Sequence, residues 1–152
     1  MKNIFQSAFI VLCSFGLLTN VVAQKKYGNE WLVPGNTYLK LKVSEDGVYK
    51  VTFEEMMAAG FIQGKIAGKD LRLINYGQEQ AIHVSNNDFN TGGYIEFYGK
   101  KNRIGMDSLL YKNWQKDLFN PEYSLVSDTN VYFLTLEPNQ LNKRYVSSLF
   151  NT

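Results

Sequence analysis

The chain has 152 residues, a formal net charge of +2, 45% hydrophobic and 20% charged residues, and a single Cys and a single His. No block of like charge stands out and the basic residues are spread along the chain, which argues against a nucleic-acid partner or an anionic membrane surface. Cys13 and His83, each the only one of its kind, exclude a disulfide framework and a His-rich zinc site of the ordinary sort.

Residues 1–23 have the layout of a signal peptide. Lys2 supplies a small positive start, and Ile4 to Val22 is largely apolar with its core from Ala8 to Leu18. Val21-Val22-Ala23 places small or β-branched residues at the cleavage positions, with Gln24 next. The apolar core is short for a span of roughly 20 residues, so a cleaved leader is expected rather than an anchor. Leu12 is too large for the position before a lipidated Cys13. The expected product is exported: periplasmic, at the outer membrane or cell surface, or secreted, with no membrane span after cleavage. Cys13 leaves with the leader, so an exported domain without disulfides must rely on its core or on bound ions.

Residues 24–36 read as a polar linker with Gly28, Pro34 and Gly35, in which Trp31 and Leu32 are placed to tuck onto the first strand. A β-rich domain is expected over 37–140. Tyr38 to Val43 alternates apolar residues with Lys, the period of a half-buried strand. Asp46-Gly47 then signals a hairpin into a second alternating run, Val48 to Thr52. Thr52 and Glu55 form a capping box that opens a short helix over about 53–59, and Gly60 closes it. Leu71 to Ile74 and Gln80 to Val84 read as strands joined by a turn with Gly77 left-handed. Ser85 to Gly93 is a polar loop, and Tyr94 to Tyr98 is a strand stopped by Gly99.

Asp107 is a fair N-cap for a short helix or loop closure, Trp114 and Phe119 sit in an irregular stretch, and Tyr123 to Val126 is a weak strand. Val131 to Leu136 is the best late strand, rich in aromatic and β-branched residues, and Glu137-Pro138-Asn139 breaks it. Residues 141–152 read as a truncated strand or tail. Short strands punctuated by turn signals every 8–12 residues or so predict a mainly β fold: an antiparallel β-sandwich or barrel-like domain with one short helix.

Little in the residues points to catalysis. The mature chain lacks a thiol, His83 sits in a strand, and no Ser stands in a Gly-x-Ser-x-Gly turn, so no enzyme is expected. The most suggestive polar cluster is Asn86, Asp88 and Asn90, oxygen ligands at alternate positions like the start of a calcium loop. Thr91 stands where such a loop requires Gly, and Glu96 falls one position before the bidentate Glu, so an Asx-rich turn is the competing reading. Calcium is the one candidate cofactor. Tyr94, Phe97 and Tyr98 are candidates for an aromatic interaction face, weighed against their use as sandwich core.

Several segments together resemble a known family. Tyr27-Gly28-Asn29-Glu30-Trp31 follows the leader; Tyr38 to Val43 runs into Glu45-Asp46-Gly47-Val48-Tyr49-Lys50-Val51 and then Ala59-Gly60-Phe61. Gly93-Tyr94-Ile95-Glu96-Phe97-Tyr98-Gly99, Asp107 to Tyr111, Tyr123-Ser124-Leu125 and Asp128-Thr129 with Tyr132 to Thr135 complete the order. The series resembles the N-terminal region of exported gingipain-type cysteine peptidases of the Bacteroidetes, which include PorU-like sortases of the type IX secretion system. The resemblance implies a non-catalytic leading β domain whose partners are a downstream peptidase domain of the same protein or secretion-system components. It carries no catalytic residue onto this chain, because the family's Cys and His lie in a separate domain. The alternative is a free-standing exported module that binds a glycan or a peptide.

Overall fold

The computed structural model describes residues 28–104, 107–118, 120 and 123–145. The expected signal peptide lies outside these residues. Among the described residues nine strands and two short α-helices follow one another: β1 (Leu39–Val43), β2 (Gly47–Thr52), α1 (Phe53–Ala58), β3 (Ile66–Ala67), β4 (Leu71–Asn75), β5 (Gln78–Gln80), β6 (His83–Val84), β7 (Asp88–Phe89), β8 (Tyr94–Gly99), α2 (Trp114–Asp117) and β9 (Asn130–Leu136). A four-stranded sheet has the order β1-β9-β4-β5, a three-stranded sheet the order β2-β8-β6, and β3 pairs with β7. All of these strand pairings are antiparallel. The fold is a β-sandwich.

The expected hairpin at Asp46-Gly47 is not formed. β1 pairs with β9 and β2 pairs with β8, so the chain arches from one sheet to the other. Both strands carry the period-two pattern, and that pattern says which side of a strand is buried but not which strand lies beside it. Gly47 has no left-handed backbone; it sits opposite Gly99. Asp46 is occupied elsewhere. Its carboxylate accepts from the Lys101 N–H at 2.9 Å and from the Arg103 guanidinium at 2.9 Å. The Tyr49 hydroxyl closes the arch by donating to the Glu45 carbonyl at 3.0 Å. At Gly99 a β-carbon would stand 2.7 Å from the Tyr49 ring, so this close approach requires glycine.

The capping box is present. Thr52 Oγ1 accepts from the Glu55 N–H at 3.2 Å, and the Glu55 carboxylate accepts from the Thr52 N–H at 2.8 Å. Each satisfies a backbone donor that the first helical turn leaves unpaired. α1 buries Phe53 and Met56 and ends at left-handed Gly60. The predicted strand Gln80 to Val84 divides in two. β5 belongs to the first sheet and β6 to the second, and fully buried Ile82 marks the crossing.

The core lies between the sheets. Val43, Leu73 and Leu134 from the four-stranded sheet meet Ile95 and Phe97 from the three-stranded one, with Met56 and Phe89 at the side. The Phe97 ring sits 5.7 Å from Tyr49 and 5.2 Å from Tyr132, centroid to centroid.

Two segments outside the strands are tied to this body. Trp31, in the stretch expected to be linker, lies on the outer face of the four-stranded sheet, 5.1 Å from Phe133 and 5.7 Å from Tyr38 between ring centroids. After β9 the chain runs back to form a parallel bridge between Arg144 and Ile82. The Arg144 guanidinium donates to the carbonyls of Gly68, Lys69 and Leu71, each at 2.9 Å. Burial lowers its pKa. Residues 141–145 are thus held against the sandwich, and the rest of the expected tail lies outside the described residues. No helix among the described residues is long and apolar enough to cross a membrane.

Candidate functional site

Strand alternation separates the three aromatics expected to share a face. Phe97 is 1% exposed and belongs to the core. Tyr94 and Tyr98 point the other way, onto the outer face of the three-stranded sheet. That face is not a low-charge apolar patch. Lys50 and His83 flank Glu96 in register, and the Lys50 ammonium lies 3.9 Å from the Tyr94 ring centroid. His83 is exposed there, with its ring 6.2 Å from that of Tyr94.

The calcium candidates are drawn into other bonds. The Asp88 carboxylate pairs with the Lys65 ammonium at 2.9 Å, and Asn86 Oδ1 accepts from the Ser85 hydroxyl at 2.8 Å. The Asn90 carbonyl accepts from the Gly93 N–H at 2.7 Å, the geometry of a tight turn. Among the described residues no three His, Cys, Asp or Glu side chains are grouped to hold a metal.

A concave surface lies elsewhere, at the end of the sandwich where β4 turns into β5. Tyr76 and Gly77 both have a left-handed backbone, with φ of 48° and 74°. They form the two-residue connection between Asn75 and Gln78, the geometry of a type I′ hairpin. Glycine was the expected left-handed residue; tyrosine beside it was not, because a β-carbon disfavours this region. The Tyr76 hydroxyl donates to Asn102 Oδ1 at 2.9 Å, which holds the ring upright. At Gly77 a β-carbon would stand 2.9 Å from the Trp31 ring, so the turn and the indole fit only with glycine there.

Two hollows meet at Tyr76. One, of about 320 Å³, is walled by Trp31, Tyr76, Val131 and Phe133, with Asn102 and Asn130 at its edge. The other, of about 360 Å³, shares Tyr76 and Asn130 and adds Lys100, Lys101, Arg103 and Tyr98. The asparagines are engaged within the fold. Asn75 Nδ2 donates to Asn130 Oδ1 at 2.9 Å, Asn130 Nδ2 donates to the Lys100 carbonyl at 2.9 Å, and Asn102 Nδ2 donates to the Ser127 carbonyl at 2.7 Å. Burial raises the pKa of Tyr76, and the neighbouring Tyr132 and Asp107 raise it further. Burial likewise raises that of Tyr132. Both hydroxyls therefore stay protonated. Asp46 goes the other way: the Lys101 N–H bond and then Arg103 hold its carboxyl below the ordinary 3.8.

None of Trp31, Tyr76, Asn102 or Asn130 was legible as a site residue. The one available signal was Asn75-Tyr76-Gly77, a two-residue turn with an aromatic residue in a place that favours Asn or Gly. Comparison with protein-family models, curated proteins and solved structures finds no match to this chain.

Proposed function

We propose that this chain is the non-catalytic N-terminal β domain of an exported gingipain-type, PorU-like cysteine peptidase of the type IX secretion system, and that it positions or restrains a downstream peptidase domain. The observation that supports a docking role is the connection from β8 to β9. It carries Leu110, Tyr123, Leu125 and Val126 with their side chains exposed, Leu110 at 73% and Leu125 at 78%. Asp107 holds this connection together: its carboxylate accepts from the Ser124 hydroxyl at 2.7 Å and from the Leu125 N–H at 2.9 Å. Exposed apolar side chains carried on one pinned connection have the character of a surface that works against another protein body.

An antibody raised to residues 40–136 tests the reading on the native protein in cell-envelope and culture fractions. The expected product runs far above the 17.4 kDa of this chain. A stable product of that size or smaller would remove the peptidase domain. The second reading, an exported glycan- or peptide-binding module, would then lead; the hollows at Tyr76 are the observation in its favour.

A further inference from the structure

We propose that the two hollows meeting at Tyr76 form one docking site for an extended peptide that presents a bulky apolar side chain next to an acidic one. The site shares no residue with the Leu110–Val126 surface, and the proposal stands whether or not a peptidase domain is attached. The first hollow sets the apolar half. Its walls are the rings of Trp31, Phe133 and Tyr76 together with Val131, and its volume suits an aromatic or branched aliphatic side chain. Its asparagines already hold internal partners, so the recognition they leave over is by shape and apolar contact. Sugar hydroxyls would find fewer open polar partners here than in a site whose amides were unengaged, since Thr129 is the other polar side chain of the lining.

The second hollow sets the charge. Lys100, Lys101 and Arg103 line it, and no Asp or Glu does so among the described residues. Asp46 answers Arg103, and the Lys101 ammonium lies 5.4 Å from the Tyr123 ring centroid. Lys100 has no ion pair among the described residues. The far side of the apolar hollow is basic as well. Lys42 stands opposite Val131 and Lys40 opposite Phe133, on the same outer face. An apolar anchor seated beside Trp31 therefore has cations to either side, and a carboxylate next to that anchor complements them.

Tyr76 joins the halves. Its ring is a wall of both hollows, and it stands on a left-handed backbone that glycine would adopt without strain. The strain is explained if the ring is what the position supplies: a rigid aromatic of the kind that anchors bound peptides.

The test is fluorescence anisotropy on the full chain with a labelled, end-blocked peptide, Gly-Ser-Phe-Glu-Asp-Ser-Gly. Two controls go with it, one with Ala for Phe and one with Lys-Lys for Glu-Asp. Saturable binding is expected with a Kd on the order of 10⁻⁵ M, weakened at least about tenfold by the Ala control. The Lys-Lys control should bind at least about tenfold more weakly, and Lys100→Glu should weaken the parent peptide about fivefold or more. Tyr76→Gly relieves the left-handed strain but deletes the bond to Asn102, so it should still fold cooperatively while losing about tenfold or more in affinity. Equal binding of the Lys-Lys peptide, or affinity unchanged in Tyr76→Gly with a normal melting curve, would overturn the proposal. So would absence of saturation up to millimolar peptide. Displacement of the peptide by phosphatidylserine vesicles from wild type and Tyr76→Gly alike would also overturn it, since the surface would then be a general anion binder.

Discussion

Phe133 and Tyr98 hold equivalent places, each on the outer face of the strand at the centre of its sheet. Trp31 covers the first; the second is half exposed. The difference follows from what surrounds them. Phe133 stands opposite Ile74, only 2% exposed, and next to Val131, so the centre of this outer face is an apolar strip between Lys40, Lys42 and Arg72, and the strip requires a cover. The lead-in supplies it: Trp31 lies over Phe133, and the Thr37 carbonyl accepts from buried Thr135 at 3.0 Å. Tyr98 shares its face with Lys50, Glu96 and exposed His83, which are compatible with water. One face therefore recruits chain from outside the strands, and the hollows form at the edge of that cover. The other leaves Tyr98 half exposed at the rim of the second hollow, with the Tyr145 hydroxyl accepting from its N–H at 3.0 Å.

Substitutions can break or sharpen this contrast. Leu134→Ala removes a fully buried side chain from the core that both sheets share. It should cost about 3 kcal/mol, read from chemical denaturation, and loosen both sheets together. A loss confined to one sheet would mean that the sheets do not unfold as a unit. Trp31→Ala should cost about 2 kcal/mol, because a large aromatic leaves a partly buried place. Hydrogen exchange should quicken in β4 and β9 while β2 and β8 stay slow; a uniform increase would show that the cover is not local. Thr52→Ala removes the cap where β2 runs into α1 and should cost about 1 kcal/mol by the same denaturation assay.

Asp46 ties the arch between the sheets to the β8–β9 connection, and it gives a pH signature. Its folded pKa lies below 3.8, so its stabilising contribution is complete above the unfolded value and is lost as pH falls through the folded one. The urea midpoint of wild type should fall toward pH 3 more steeply than that of Asp46→Asn. Parallel curves would remove Asp46 from the acid response. The smallest effect belongs to the outer face of the three-stranded sheet. Lys50→Ala deletes an exposed cation over a partly buried Tyr94 ring and should change stability by no more than about 0.5 kcal/mol. A cost near that of Trp31→Ala would mean that the two faces are not different in kind.

How far the architecture could be read in advance varies by element. The alternating run from Tyr38 to Val43, the segment from Tyr94 to Tyr98 and the aromatic and β-branched run from Val131 to Leu136 marked strands that are present, and Thr52 with Glu55 marked the start of a helix that begins there. These signals are local: they depend on bonds and faces within a few residues. The placement of Phe97 and Tyr98 on opposite sides follows from the same alternation, yet which side is core was decided by Tyr49 and Tyr132 packing on Phe97. The candidate site was hidden for the same reason. Its walls come from Trp31, Tyr76, Val131 and Phe133, on segments far apart along the chain that carry no shared motif.

By itself, then, the amino-acid sequence determined a mainly β chain with a capped short helix and left-handed glycines at Gly60 and Gly77, because each of these follows from backbone sterics and nearest-neighbour hydrogen bonds. Only the tertiary structure decided that β1 and β2 part into different sheets, that the lead-in covers one outer face, and that a strained tyrosine divides an apolar hollow from a basic one. Those outcomes rest on which buried surfaces meet, and apolar burial is non-directional, so no single stretch of chain specifies its partner.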